Sequence, residues 1–231
     1  MENSPLLKAA QEGQLDQVKK LHGDGADLNE VHKNGSTALI FAAEKGHFDV
    51  VKYLIENGAD PAVTTKMGGT ALNRAAENGN VEIIKYLLKS GTPVGDIALI
   101  VAAREDHLET VKILVEAGAS IDAKQRWGQT ALMLAAREGN NEIIKYLLDK
   151  GANVRVKDKN GDTALNIAND NENLDIVMQL KRAGAKAVAK KSTPVTTADD
   201  DDDDDEVVDD SPDVDDLISD DDLPDDVDLD D

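Results

Sequence analysis

Residues 130–152 read TALMLAAREGNNEIIKYLLDKGA, and this stretch decides the fold. Thr130-Ala131-Leu132 opens a short run that closes on the pair Ala135-Ala136. Gly139 then supplies a break where φ can turn positive at little cost. An apolar-rich second segment follows, Ile143-Ile144-Lys145-Tyr146-Leu147-Leu148, and Gly151-Ala152 closes it. Two short helical patterns separated by Gly imply an antiparallel helix pair. One such pair cannot bury its apolar stripe alone, so copies must stack.

The copies are present. Thr37-Ala38-Leu39, Thr70-Ala71-Leu72, Ile97-Ala98-Leu99, Thr130-Ala131-Leu132 and Thr163-Ala164-Leu165 recur at spacings of 33, 27, 33 and 33 residues, with Ser4-Pro5-Leu6 a further 33 before the first. Ala pairs follow at Ala9-Ala10, Ala42-Ala43, Ala75-Ala76, Ala102-Ala103 and Ala135-Ala136, and the last copy departs with Ala168-Asn169. The break position holds Gly13, Gly46, Gly79, Asp106, Gly139 and Glu172. Asp tolerates a left-handed conformation better than most residues, and Glu is less suited. The first copy sets Lys20 and His22 where Tyr146 and Leu148 stand in the fifth, as expected of a cap.

This unit, of the form G-x-T-x-L-x-x-A-A-x-x-G-N/H-x-x-I/V-I/V-x-x-L-L-x-x-G-A, resembles the ankyrin repeat over residues 4 to about 186 in six copies. Ala replaces the Pro of the family's T-P-L. The resemblance implies an all-α solenoid of helix-turn-helix units with short β-hairpin fingers, in repeats of about 4–32, 33–65, 66–94, 95–125, 126–158 and 159–185. It also implies non-catalytic protein binding, as adaptor, scaffold or assembly factor, through a concave face of finger tips and first-helix ends. Carried over by position, that face includes Lys33, Lys66, Met67, Arg126, Trp127, Gln129 and Lys159 on fingers, and Arg104 and Arg137 on helices.

Irregularities carry more information than the period. Ten residues separate Gly58-Ala59 from Thr70, but only four, Pro93 to Asp96, separate Gly91-Thr92 from Ile97. Two strands and a turn do not fit there, so one finger must be truncated. It is either a tolerated deletion or a notch for a partner element. Arg74 stands where other copies have Phe41, Val101, Leu134 and Ile167. A charge at such a position must be paired or reach water. Either the missing finger leaves Arg74 solvated, or it offers an anion contact within the notch. Trp127, the only tryptophan, falls at a finger tip where burial is expected to be poor, beside Arg126. Interface hot spots favour Trp and Arg, so a partner contact is expected there, with Met67 the equivalent tip residue.

Charge divides the chain. Of its 47 acidic residues, 21 lie between Asp199 and Asp231, where no Lys or Arg occurs; that leaves 26 acids against 25 bases in residues 1–198. A low-aromatic block of like charge is expected to be disordered, joined by a linker over 186–198. Within it Val207-Val208, Leu217-Ile218 and Leu223 interleave with acid. The tail is either a solubilising extension or a segment that engages a basic protein by polyanion mimicry, which would make the chain an acidic-tail chaperone or inhibitor.

Other chemistry is not encoded recognisably. There is no cysteine, hence no disulfide, thiolate nucleophile or cysteine-ligated metal. The net charge of −22 argues against direct nucleic-acid binding. His22, His32, His47 and His107 lack metal-ligand spacing, and local hydrogen bonds are expected of His47 and His107. Asp158-Lys159-Asn160-Gly161-Asp162 lacks the later ligands of a calcium loop. No cofactor or catalysis is expected. No apolar run spans a bilayer, and Met1–Pro5 does not read as a signal peptide. The expectation is a soluble, cytoplasmic monomer whose protein partner the sequence does not identify.

Overall fold

A computed structural model describes residues 4–186. Among them twelve helices alternate in two layers: an inner set, α1 (Pro5–Gln11), α3 (Ala38–Glu44), α5 (Ala71–Glu77), α7 (Asp96–Arg104), α9 (Ala131–Glu138) and α11 (Ala164–Asp170), and an outer set, α2 (Leu15–Gly23), α4 (Phe48–Glu56), α6 (Val81–Lys89), α8 (Leu108–Glu116), α10 (Asn141–Asp149) and α12 (Leu174–Arg182). Each inner helix packs on its own outer partner and on the inner helix of the next repeat. Apart from Lys186, the linker and the acidic tail lie outside the described residues.

Inner helices of seven to nine residues are too short to persist alone. Side-chain caps start most of them: Thr37 Oγ1 accepts from Ile40 N at 3.3 Å, Thr70 from Asn73 at 3.1 Å and Thr163 from Asn166 at 3.3 Å. In α3 every residue from Ala38 to Ala43 is buried. A helix apolar on all sides must lie between neighbours, and the fully buried Ala pairs let those neighbours approach. Outer helices bury one stripe each, such as Val50, Val51 and Leu54 in α4.

The break residues adopt positive φ, including Asp106 at 59° and Glu172 at 57°. Gly79 is required twice over. Its φ is +65°, and a Cβ there would lie 2.7 Å from His107 Nδ1. His47 and His107 do not make the local bonds expected of them. Their Nε2 atoms meet the carbonyls of Gln11 at 2.9 Å and Glu77 at 2.8 Å, each in the preceding repeat. Asn140 does the same, donating from Nδ2 to Ala103 O at 2.8 Å and Arg104 O at 2.9 Å. Inner-helix C-terminal carbonyls, which lack intrahelical donors, are thus satisfied between repeats.

The fingers are tighter than two-stranded hairpins. No strand occurs among the described residues. Each finger is instead a five-residue turn closed by two backbone bonds: the first residue donates to the fifth (His32 N to Ser36 O, Thr65 N to Gly69 O, Gln125 N to Gln129 O and Asp158 N to Asp162 O) and accepts from the glycine at the fourth (Gly35, Gly68, Gly128 and Gly161). Between Gly91 and Asp96 no finger forms. There α7 begins directly, with Gly95 at its N-cap and Asp96 in its first turn, where a carboxylate suits the helix dipole.

Candidate functional site: an interrupted finger row over an ionic ladder

Consecutive fingers are joined by single backbone rungs. Lys66 N donates to Asn34 O at 2.9 Å, and Lys159 N donates to Trp127 O at 3.0 Å. The row therefore forms two pairs, fingers 2 and 3 and fingers 5 and 6, separated by the repeat that has none. Lys33, Lys66, Arg126 and Lys159 are exposed on these tips, and Met67 is 42% exposed.

Trp127 is more engaged than its position at a tip suggests. The residue is half-buried, and the neighbouring finger reaches it. Lys159 Nζ lies 5.5 Å from the indole centroid, within cation–π range. Its Nε1 is buried without a hydrogen-bond partner among the described residues. Gln129 does not face outward. It is 6% exposed and accepts from Gln125 Nε2 at 2.6 Å, bracing the base of its own finger. The fifth residue of the turn points back into the stack, as buried Ser36 does in finger 2.

Beneath the interruption runs a line of alternating charge. Arg74 Nη1 contacts Glu77 Oε2 at 3.0 Å, and Arg74 Nε lies 3.9 Å from Glu44 Oε2. Arg104 Nη2 reaches the other oxygen of Glu77 at 3.3 Å, while its Nε bonds Glu105 at 2.7 Å. Lys45 pairs with Glu44 at 3.1 Å. Arg74 is thus not simply solvated by the loss of a finger. Its side chain is 19% exposed and its charge meets carboxylates of this chain. Glu77, at 15% exposure, ties two repeats together by holding both guanidinium groups. Arg137 stands exposed on the next inner helix. Sequence reasoning named Arg74 and Arg104 but missed Glu77 as their shared partner. The signal available was that Glu77 and Arg104 are 27 residues apart, equal to the shortened repeat.

No group of three or more His, Cys, Asp or Glu side chains suited to a metal ion occurs among the described residues. No described helix is long and apolar enough to cross a membrane. On the outer layer, burial of the Tyr146 ring and the nearby Glu116 carboxylate raise the phenol pKa above its ordinary value.

These features define a class, a stack of helix pairs with protruding turns. Comparison then supplies the family: the ankyrin-repeat profile, in its three-copy form, matches residues 6–98 and again 99–191. The chain belongs to the ankyrin-repeat family. Among solved structures it is similar to a chain from the complex of the Bd0816 predatory endopeptidase of Bdellovibrio bacteriovorus with immunity protein Bd3460. That match has 31% identity, covers 79% of this chain and 99% of the other, and has a TM-score of 0.70. An ankyrin repeat domain from Acinetobacter baumannii AYE matches at 30% identity over 80% and 100% of the two chains, TM-score 0.70. The ankyrin repeat protein EF0377 matches at 33% over 79% and 98%, TM-score 0.70. No curated protein matches.

Proposed function

We propose that this chain is a non-catalytic protein-binding module, acting as adaptor, scaffold or assembly factor through its finger row and the adjoining inner-helix ends. The observation that carries this reading is the pair of apolar tip residues, Met67 and Trp127, set on either side of the finger interruption among exposed Lys66, Arg126 and Lys159. Aromatic and Arg side chains on a shaped surface are what interface hot spots use. Family membership supports protein partners in general. The similar chain from the endopeptidase–immunity protein complex comes from a structure in which two proteins are bound.

The test is affinity capture with the full chain, with residues 1–198 and with full-length Trp127→Ala, each at low and high salt. The expected result is one partner retained by both wild-type baits at high salt and lost by the variant. Capture of the same partner by Trp127→Ala contradicts the reading.

The segregated charge of residues 199–231 favours a second reading, in which the acidic segment shields a basic protein and the repeats carry it. It predicts capture by the full chain alone, stripped by salt.

A further inference from the structure

Rung by rung, the finger row has one unmatched donor and one unmatched acceptor at its interruption. In each finger pair, the second turn residue of one finger donates its N–H to the third turn residue of the finger before it: Lys66 to Asn34, and Lys159 to Trp127. By this register Met67 C=O should accept from a fourth-repeat finger, and Arg126 N–H should donate to it. That finger is missing, and neither group makes a backbone hydrogen bond among the described residues. The turn glycines report the same vacancy. A Cβ on Gly35 would lie 3.0 Å from Lys66 N, and one on Gly128 would lie 3.2 Å from Lys159 N. Both glycines abut a following finger. A Cβ on Gly68 would meet nothing within 4 Å.

The inner helices meanwhile stay in register, α5 packing on α7 and α7 on α9. Packed helices lie about 8–10 Å apart, and paired extended segments about 4.8 Å apart. One missing finger therefore leaves room for both arms of a turn, not for a single strand.

We infer that the interruption is an acceptor site for an exposed turn of a protein partner, which completes the finger row in trans. This rests on the protein-binding reading above and names the element recognised. The first contacting residue of the turn donates its N–H to Met67 C=O. The next residue accepts from Arg126 N–H through its own carbonyl. A glycine follows, because the residue at that place must take positive φ and pass close to the Arg126 backbone, as Gly35 passes Lys66. All four fingers among the described residues already have this form, basic residue, variable residue, glycine: Lys33-Asn34-Gly35, Lys66-Met67-Gly68, Arg126-Trp127-Gly128 and Lys159-Asn160-Gly161. Main-chain bonds give such a site its geometry, and the flanking Met67 and Trp127 side chains give it apolar contact.

The probe is a backbone-cyclised peptide with the sequence of residues 157–163, titrated into the full-length isotope-labelled chain to millimolar concentration. Saturable shifts of the Arg126 amide and Met67 carbonyl are expected, with Arg126 amide exchange slowed about tenfold or more. N-methylation of the peptide's second Lys, the counterpart of Lys159, should weaken binding by about tenfold, since it removes one rung. A six-residue insertion after Pro93, which restores the ten-residue interval, should protect the Arg126 amide in cis and abolish peptide binding. In the unmodified chain without peptide, Arg126 should exchange faster than the rung donors Lys66 and Lys159, and this readout does not depend on the variant folding. Equal protection of the three amides, or no shift at Met67 and Arg126 at millimolar peptide, would overturn the inference. Concentration-dependent protection of Arg126 without peptide would overturn it in favour of self-association. Loss of partner capture on Trp127→Ala with an unprotected Arg126 in the wild-type complex would sink the inference and leave the protein-binding reading standing.

Discussion

Replacing Glu77 with Ala probes the ladder beneath the finger row. Glu77 accepts from Arg74 Nη1 at 3.0 Å and from Arg104 Nη2 at 3.3 Å. A hydrogen bond to a charged group contributes about 1.5–3 kcal/mol. Exposed ion pairs contribute only about 0–1 kcal/mol. With side-chain exposures of 13–19% for the three residues, each contact falls between these limits, near 1 kcal/mol. The variant also leaves two guanidinium groups facing each other. The expected loss is about 2 kcal/mol, or roughly 4–8 °C in Tm for a domain of this size. Urea unfolding followed by circular dichroism measures it, with the m-value checked because repeat arrays can depart from two-state behaviour. The internal control is Glu12→Ala, whose Lys8–Glu12 pair is longer, at 3.9 Å, and well exposed. It should cost no more than about 0.5 kcal/mol. Equal effects of the two substitutions would refute the argument that burial sets the strength of the ladder.

Three further outcomes are expected. Asn140→Ala removes two bonds to inner-helix carbonyls and should cost about 2–3 kcal/mol in calorimetry or denaturant unfolding. Glu172→Gly relieves a left-handed residue at φ 57°; strain of about 1–2 kcal/mol, less a glycine entropy cost of about 0.5–1 kcal/mol, predicts a net gain near 0.5–1 kcal/mol in the same assay. Tyr146 should ionise at higher pH than free tyrosine in ultraviolet difference titration, because burial and then Glu116 oppose its phenolate. Since the folded pKa is raised, the associated stability is fully present below the unfolded pKa of 10.0 and is lost as pH rises from there through the folded value.

Much of this architecture can be read directly from the chain because its determinants are local. The capping Thr, the Ala pair and the positive-φ residue act within a few positions of themselves, and their recurrence announces the stack. The truncated finger was legible too, as a count of residues between Thr92 and Ile97. What stayed hidden depends on which columns meet across repeats. Glu77 and Arg104 become neighbours only when the six-residue deficit is absorbed entirely by the finger and the helices remain in register. Trp127 meets Lys159, 32 residues away, through a backbone rung and a cation–π contact that adjacent sequence does not announce. Gln129 looked like a tip residue, but the turn is only five residues long, so its fifth residue already belongs to the stack.

The most direct measurement is site-specific photocrosslinking of the full-length chain in cell extract. A benzoylphenylalanine would replace Met67 or Arg126 on the finger row, or Lys85 on an outer helix. Recognition through the interrupted finger row predicts one discrete protein adduct from both finger positions, persistent at high salt, and none from position 85. An adduct from position 85 alone, or finger adducts that high salt abolishes, would contradict the account.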